Sequence, residues 1–439
     1  MGRTIKLSPP SVPAEIEAAH RPPPPALRLP PPGKPPTSRQ ILRRYARRGM
    51  RFVAARDVRL LVNADQAFPE MLSAIDAARS SVDLETYILN DDDAGHSFQA
   101  ALVRAAGRGV RVRLIYDWVG SLGLSRDFLR GLVEGGVAVS AYHPLAINRP
   151  VWALNHRDHR KILIVDEDVS FTGGLNIAEE RTLAPSGGVS WRDSHIRLDG
   201  PEVAASLTAL FEYAWRRATP FDKTATRRAM LRWAVKRRLD RLLRRSPRAA
   251  RPSPHDGQAL VSTVGNEEFR YRWRIHRAYL RAIRQARRYV LIENAYFIPG
   301  RAVRKALVSA VRRGVIVAVV VAAHSDVPIS GYAMRWLYNE LLSSGVRVFE
   351  WPVGMMHAKT AVIDDVWSIV GSYNFDHRSL LHQLEVVAVV ADPDFAARLR
   401  DQTLTDIAVC NEVDLDSHRR RPWRQRLLEY AAYALRHWL

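Results

Sequence analysis

The chain has 439 residues, 47% of them hydrophobic, which is enough for a large core in two or three domains. Lys plus Arg number 66 against 45 Asp plus Glu, a formal charge of +21 that calls for a polyanionic partner, anionic lipid or nucleic acid, without choosing between them. The single cysteine, Cys410, excludes an intramolecular disulfide framework and any CxxC metal site, and no stretch approaches the ~20 apolar residues of a membrane-spanning helix.

Residues 1–48 read as a disordered proline-rich tail, with runs at Pro22–Pro25 and Pro30–Pro32 and no charged–apolar–small leader pattern. Residues 49–220 then form a first repeat unit. "MLSAIDAARSSVDLETYIL" (Met71–Leu89), "ALVRAAGRGVRVRLIYD" (Ala101–Asp117) and "FLRGLVEGGVAVSAYHP" (Phe128–Pro144) each read as an amphipathic helix followed by a short strand. Residues 221–256 are different. Arg216 to Arg251 is dense in arginine with only two acids, Asp222 and Asp240, and over 227–245 the apolar Met230, Trp233, Ala234, Leu242 and Leu243 fall near one helical face.

Residues 257–411 repeat the first unit: "YLRAIRQARRYVLIENAYF" (Tyr279–Phe297), "ALVSAVRRGVIVAVVVA" (Ala306–Ala322) and "WLYNELLSSGVRVFEWP" (Trp336–Pro352) match the three earlier segments in order. Gly109, Gly136, Gly314 and Gly345 stand between helix and strand, where a helix cap belongs. Short β-branched strands alternating with amphipathic helices predict an α/β sandwich in each half. Residues 412–439 end the chain as a basic amphipathic helix. Trp423, Leu427, Ala431, Leu435 and Trp438 recur at helical spacing beside Arg424, Arg426 and Arg436. Such a helix either lies in an anionic membrane surface or packs its apolar face on the protein.

Each half carries one constellation at the same gaps. The first is His159-x-Lys161, Asp166, Gly173-Gly174-x-Asn176; the second is His357-x-Lys359, Asp364, Gly371-Ser372-x-Asn374. The chain has only seven lysines, and two of them sit two residues after a motif histidine. A compact ammonium is wanted there, where arginine supplies almost all other positive charge. On a strand, His and Lys at i and i+2 leave the same face. Paired, the two halves assemble His159, Lys161, Asp166, His357, Lys359 and Asp364 as a catalytic set, with Lys161, Lys359, Asn176, Asn374 and Ser372 around one phosphate. One neutral imidazole attacks phosphorus and the other serves the leaving and entering oxygens. No metal and no cofactor is expected, since the lysines supply the positive charge. Asp166 and Asp364 either take part or bind the fold together as strand-end carboxylates.

The paired His-x-Lys-x4-Asp motifs resemble the signature of the phospholipase D superfamily, over a repeat from about Arg56 to Ala391. The resemblance implies an α/β fold of two pseudo-twofold-related αβα sandwich domains with mixed sheets and one shared active site. It implies His159 as nucleophile and His357 as acid/base. It also implies that an acid a few tens of residues after each histidine orients its ring, which makes Asp193 and Glu385 the candidates. "IENAYFIP" (Ile292–Pro299), "LETYILNDDDAG" (Leu84–Gly95), "HRKILIVDEDVSFTGGLN" (His159–Asn176), "WRDSHIRLDGPEV" (Trp191–Val203) and "GSYNFDHRS" (Gly371–Ser379) are similar to bacterial cardiolipin synthases, B type.

That similarity implies phosphatidyl transfer from phosphatidylglycerol to a second phosphatidylglycerol or a related alcohol. The alternatives are hydrolysis to phosphatidic acid, a nucleic-acid phosphodiesterase and a non-catalytic membrane-binding scaffold. Glu85 and Glu293, at equivalent strand ends, either line a headgroup pocket or are structural acids. The expected partners are an anionic phospholipid and a membrane surface, met peripherally at the inner face of a bacterial membrane through 227–245 and 418–439. Nucleic acid is not expected, because no dedicated binding motif is present. The oligomeric state is left open.

Overall fold

The computed structural model describes residues 27–31, 33, 36–46, 49–144, 155–179, 191–228, 230–231, 258–266 and 271–438. Helix α1 (Ser38–Tyr45) precedes strands β1 (Val53–Ala54) and β2 (Asp57–Val62). The first half continues α2 (Asn63–Ala77), β3 (Ser81–Thr86), α3 (Asp93–Gly107), β4 (Arg111–Asp117), α4 (Arg126–Glu134) and β5 (Ala138–Tyr142). It closes with β6 (Arg157–Asp158), β7 (Ile162–Val165), β8 (Val169–Gly173), β9 (Ser194–Asp199), α5 (Pro201–Trp215) and β10 (Thr219–Pro220). The second half runs β11 (Leu260–Asn266), α6 (Arg274–Gln285), β12 (Tyr289–Asn294), α7 (Arg301–Arg312), β13 (Ile316–Ala322), α8 (Pro328–Ser343) and β14 (Arg347–Trp351). It ends in β15 (Lys359–Ile363), β16 (Trp367–Gly371), α9 (His377–Leu381), β17 (Gln383–Ala391), α10 (Pro393–Val409), β18 (Asn411–Glu412), α11 (Leu415–Arg419) and α12 (Trp423–Ala434).

The repeat read in the sequence is a repeat of topology. One sheet has the order β10-β5-β4-β3-β7-β8-β9-β2, and the other β18-β14-β13-β12-β15-β16-β17-β11 with β1 added at its edge. In each, the three strands that follow helices pair in parallel and the motif hairpin pairs antiparallel, so both sheets are mixed. The parallel strands, such as "RVRLIYD" and "IVAVVVA", are covered on both faces and almost wholly buried. The four junction glycines all adopt positive φ, between 79° and 90°, which ends each helix and turns the chain into the next strand.

The halves are not separable bodies. β1 belongs to the first half by sequence but pairs with β11 of the second sheet. β6 pairs in parallel with β17, and Arg192 bridges to Met356. A single apolar cluster joins Ile162, Leu198, Val203 and Phe211 of one half to Val261, Leu291, Val386 and Phe395 of the other. The motif strands therefore meet across an apolar, packed seam.

Part of the stretch 1–48, expected as a tail, is built into the fold. Thr37 and Gln40 form a capping box for α1. Ile41 and Tyr45 are buried, and the Tyr45 ring stacks on Trp367 with centroids 5.5 Å apart. Leu27 is also buried, and the Arg288 guanidinium donates to the carbonyls of Pro30 and Pro31. Burial of α1 against the second half overrides the compositional signal of its proline-rich surroundings. Most of the basic stretch 227–245 lies outside the described residues.

Candidate active site

β6 leads into the first motif, and its pairing with β17 continues as His159 N–H donates to the Leu384 carbonyl at 3.0 Å. The second motif is braced in the same way, with His357 N–H donating to the Arg192 carbonyl at 2.7 Å. Each histidine segment thus lies against the segment of the opposite half that carries an acid. His159 Nδ1 stands 3.0 Å from Glu385 Oε1, and His357 Nδ1 stands 2.7 Å from Asp193 Oδ2. Both acids meet a histidine ring, but not the one nearer in sequence. The expected pairing within each half is corrected to a crossed pairing, fixed by the β6–β17 and Arg192–Met356 contacts.

All four groups are buried, as are Lys161 and Lys359. Lys161 Nζ donates to the His159 carbonyl at 2.7 Å, and Lys359 Nζ to the His357 carbonyl. Lys161 also lies over the Tyr87 ring, 5.2 Å from its centroid, and Tyr87 packs edge-on to His159. Trp191 stands beside His357, with ring centroids 5.3 Å apart. Asn176 and Asn374 are buried; the Asn176 side-chain oxygen accepts from Ile88 N–H at 3.2 Å.

Ser372 and Gly174 make the halves unequal. Ser372 Oγ donates to Glu385 Oε2, and Ser379 Oγ donates to Oε1 at 2.7 Å. In the other half, a Cβ on Gly174 would lie 2.1 Å from Asp193 Oδ1, so the carboxylate occupies the space a serine needs.

The motif aspartates do not belong to the catalytic set. Asp166 lies at the far end of β7 from Lys161, roughly 16 Å along an extended strand. It accepts from the backbone N–H groups of Arg79, Ser80 and Ser81 at 2.9, 2.7 and 2.9 Å. Asp364 accepts from those of Arg287, Arg288 and Tyr289 at 2.9, 2.8 and 3.1 Å, and from the Tyr45 hydroxyl. Both have left-handed backbones, φ 55° and 56°, which aspartate tolerates at a hairpin turn. Each clamps a hairpin to the turn before the sheet's central strand. Asp364→Ala leaves three N–H donors without an acceptor and is expected to cost roughly 3 kcal/mol. A lowered urea midpoint, with turnover per folded molecule largely kept, is the result that checks it.

Glu85 and Glu293 do not line a headgroup pocket either. Both are wholly buried ends of ionic clusters. Glu85 meets the Arg160 guanidinium at 2.6 Å, Arg160 being the residue between His159 and Lys161. The second half has Ala358 there, and Glu293 is met instead by Thr360 Oγ1 at 2.7 Å and by Arg192 at 3.7 Å. Arg192 reaches over from the first half and also binds Asp406 at 2.7 Å. Burial pushes the Glu293 carboxyl up to about 8, against the opposing pull of Arg192. Sequence reasoning missed these two arginines. Their signal was the charge mismatch between "HRK" and "HAK", answered by arginine in "WRD" where "QLE" has leucine.

Residues 71–215 and 279–406 match the family model described as cardiolipin synthase, PLD-like domain. The chain belongs to the phospholipase D superfamily. It is 35% identical over 371 residues to a cardiolipin synthase B of Escherichia coli O6:H1, covering 83% of this chain and 84% of that one. It is 29% identical over 376 residues to a cardiolipin synthase of Geobacillus sp. strain WCH70, covering 85% and 71%. The crystal structure of a phosphatidylserine synthase from Haemophilus influenzae Rd KW20 shares the fold, with a TM-score of 0.67 at 15% identity, covering 92% of this chain and all of that one. The chain is a phospholipase D-type phosphatidyltransferase, similar to the B-type cardiolipin synthases.

Electrostatics in this phospholipase D site favour a neutral His159 ring. Burial, then Lys161, Lys359 and Arg378, hold the His159 imidazole well below its ordinary range. Burial pushes the Glu385 carboxyl up to about 8, opposed by Lys161 and by the Ser372 and Ser379 hydroxyls. The Ser372 and Ser379 hydroxyls donate to Glu385, and an ionised Glu385 would accept from Nδ1–H and leave the Nε2 lone pair on the other side of the ring.

Proposed function

We propose that the chain is a cardiolipin synthase-like phosphatidyltransferase working by two displacements at phosphorus. His159 Nε2 attacks the phosphodiester of phosphatidylglycerol, the bond to the glycerol headgroup breaks, and protonated His357 gives its proton to the departing oxygen. A hydroxyl of a second phosphatidylglycerol then loses its proton to His357 and attacks the phosphatidyl-histidine. That releases cardiolipin and restores both rings. Lys161 and Lys359, with the amides of Asn176 and Asn374, meet the non-bridging oxygens as charge spreads over them. The crossed histidine–carboxylate pairs carry this reading: each ring is fixed through Nδ1, so each offers Nε2 to the reaction. The similarity to cardiolipin synthases supports the choice of lipids.

A lipid acceptor requires the site to work at a membrane, and no described helix is long and apolar enough to cross one. The proposed contact is peripheral, at the anionic inner leaflet, through α12. That helix packs on α8 with Glu429 and Ala432 inward, while Trp423, Leu427, Ala431, Leu435 and Trp438 face out. Trp423 is 69% and Trp438 77% exposed, with Arg424 and Arg426 beside the stripe. An outward apolar stripe among arginines suits insertion into an anionic interface. At the end of this segment His437 meets the His377 ring at 4.3 Å, on the α9 turn that supplies Ser379 to Glu385. The stripe thus runs toward the active-site end of the molecule.

Incubation of purified protein with headgroup-labelled and acyl-labelled phosphatidylglycerol tests the reaction. The expected products are acyl-labelled cardiolipin and free labelled glycerol in equal amounts. Phosphatidic acid as the sole lipid product, at any lipid concentration, would reject transfer in favour of hydrolysis.

A further inference from the structure

At the inner end of α12, a cleft of about 550 Å³ opens between α8 and α11. Its charge is one-sided. Arg419 and Arg426 line it and are exposed. Arg419 is held by Asn339 Oδ1 at 3.2 Å, and no described side chain neutralises either arginine. Arg421 also lines the cleft but is committed to the buried Glu429 at 2.6 Å. The one acid in the wall, Glu340, is engaged by Arg304 at 2.9 Å.

His418 forms part of the floor. It is only 7% exposed, and its Nε2 has no hydrogen-bond partner. Burial, then Arg421 and Arg335, lower its ring to about 4, with the Arg335 carbonyl pulling the other way, so the cleft presents a neutral imidazole among guanidiniums. An unmatched buried nitrogen costs stability unless something meets it. An anion with several acceptor oxygens would meet both arginines at once and favour a proton on the ring, whose Nε2–H would then donate to it. The apolar wall is Trp336, whose ring packs on Tyr430 with centroids 5.1 Å apart, and Tyr430 lies next to the outward stripe of α12. The cleft is therefore placed where a lipid headgroup would stand if α12 lay in the interface. None of its lining residues belongs to the histidine–lysine motifs.

We propose that this cleft is a second anionic-lipid site, which takes the phosphate of a phospholipid headgroup between Arg419, Arg426 and His418 and so holds the enzyme on anionic membrane. The proposal rests on the membrane reading of α12. It adds a stoichiometric headgroup site to what would otherwise be a diffuse attraction.

Flotation of the full-length protein tests it, with vesicles of phosphatidylcholine alone and of phosphatidylcholine and phosphatidylglycerol in equal amounts. Arg419→Gln/Arg426→Gln is expected to weaken binding to the mixed vesicles about tenfold or more, and to leave binding to phosphatidylcholine unchanged. Arg301→Gln/Arg312→Gln, two exposed arginines on α7, serves as the charge control. Equal losses in both double variants would mean a diffuse charge effect and overturn the site. Unchanged binding in the cleft variant would overturn it too. A Trp423→Ser/Leu427→Ser variant separates the two readings. If it also binds as wild type, the membrane role of α12 fails; if it alone is impaired, only the cleft fails. Soluble glycerol phosphate provides the last arm: if it raises the melting temperature of wild type while the mixed vesicles do not discriminate the cleft variant, the site takes free phosphate and the lipid assignment falls.

Discussion

Substituting His159 by asparagine is expected to lower turnover by about four orders of magnitude or more, whatever the leaving group, because in the proposed mechanism it removes the atom that bonds to phosphorus. His357→Asn should behave differently. With phosphatidylglycerol the departing alkoxide needs a proton, and losing its donor costs about 10²–10⁴-fold. With a nitrophenyl phosphatidyl ester the leaving group needs none. The His357 variant should then release one nitrophenolate per chain in a burst and stop, since no base remains to activate the acceptor. The trapped protein should carry a phosphoryl label stable to alkali and lost in acid, as an N-linked phosphohistidine is. If the burst and label appear instead in His159→Asn, the roles of the two rings are reversed.

The sequence made the repeat and its chemistry readable because both depend on short-range periodicity. His159-x-Lys161 and His357-x-Lys359 declare a strand face, and the junction glycines declare where helices stop. The two sheets then follow with one strand order. What stayed hidden was set by contacts between residues far apart in the chain. His159 and Glu385 are 226 positions apart, and His357 and Asp193 are 164 apart, so the nearer acid in sequence pointed to the wrong ring. Asp166 and Asp364 were drawn into the catalytic set by their constant spacing. That spacing reflects the length of a hairpin strand whose end they staple to backbone N–H groups. Glu85 and Glu293 were equivalent in the repeat and looked accessible at strand ends. Only the fold shows Arg160 and Arg192, both from the first half, closing over one acid in each half. In α12 the periodicity was legible, but which face turned outward was not. The inward face holds Glu429 satisfied by Arg421, an arrangement that hydrophobicity alone would have assigned to solvent.

The crossed pairing has a kinetic consequence that same-half pairing does not share. When His159 Nε2 bonds to phosphorus the ring becomes cationic, and Glu385 stabilises that charge through Nδ1–H. Glu385→Gln keeps the shape, and one of Ser372 and Ser379 still donates to the amide oxygen while the other must accept from the amide NH2, but the negative charge is gone. The expected loss is about 10²–10⁴-fold in phosphoenzyme formation, equally with glycerol and with nitrophenolate leaving. Asp193→Asn acts on His357, whose protonated form is needed to expel glycerol. It should cost a similar factor with phosphatidylglycerol, and little in the nitrophenolate burst. Each carboxylate variant therefore copies the histidine of the opposite half: Glu385→Gln resembles His159→Asn, and Asp193→Asn resembles His357→Asn. Were the acids to serve the histidines of their own halves, the two leaving-group patterns would exchange. Rapid-quench measurement of the burst on both substrates distinguishes the arrangements without a structure. A burst abolished in Asp193→Asn and preserved in Glu385→Gln would refute the crossed geometry, along with the assignment of His159 as the residue that Glu385 orients for attack.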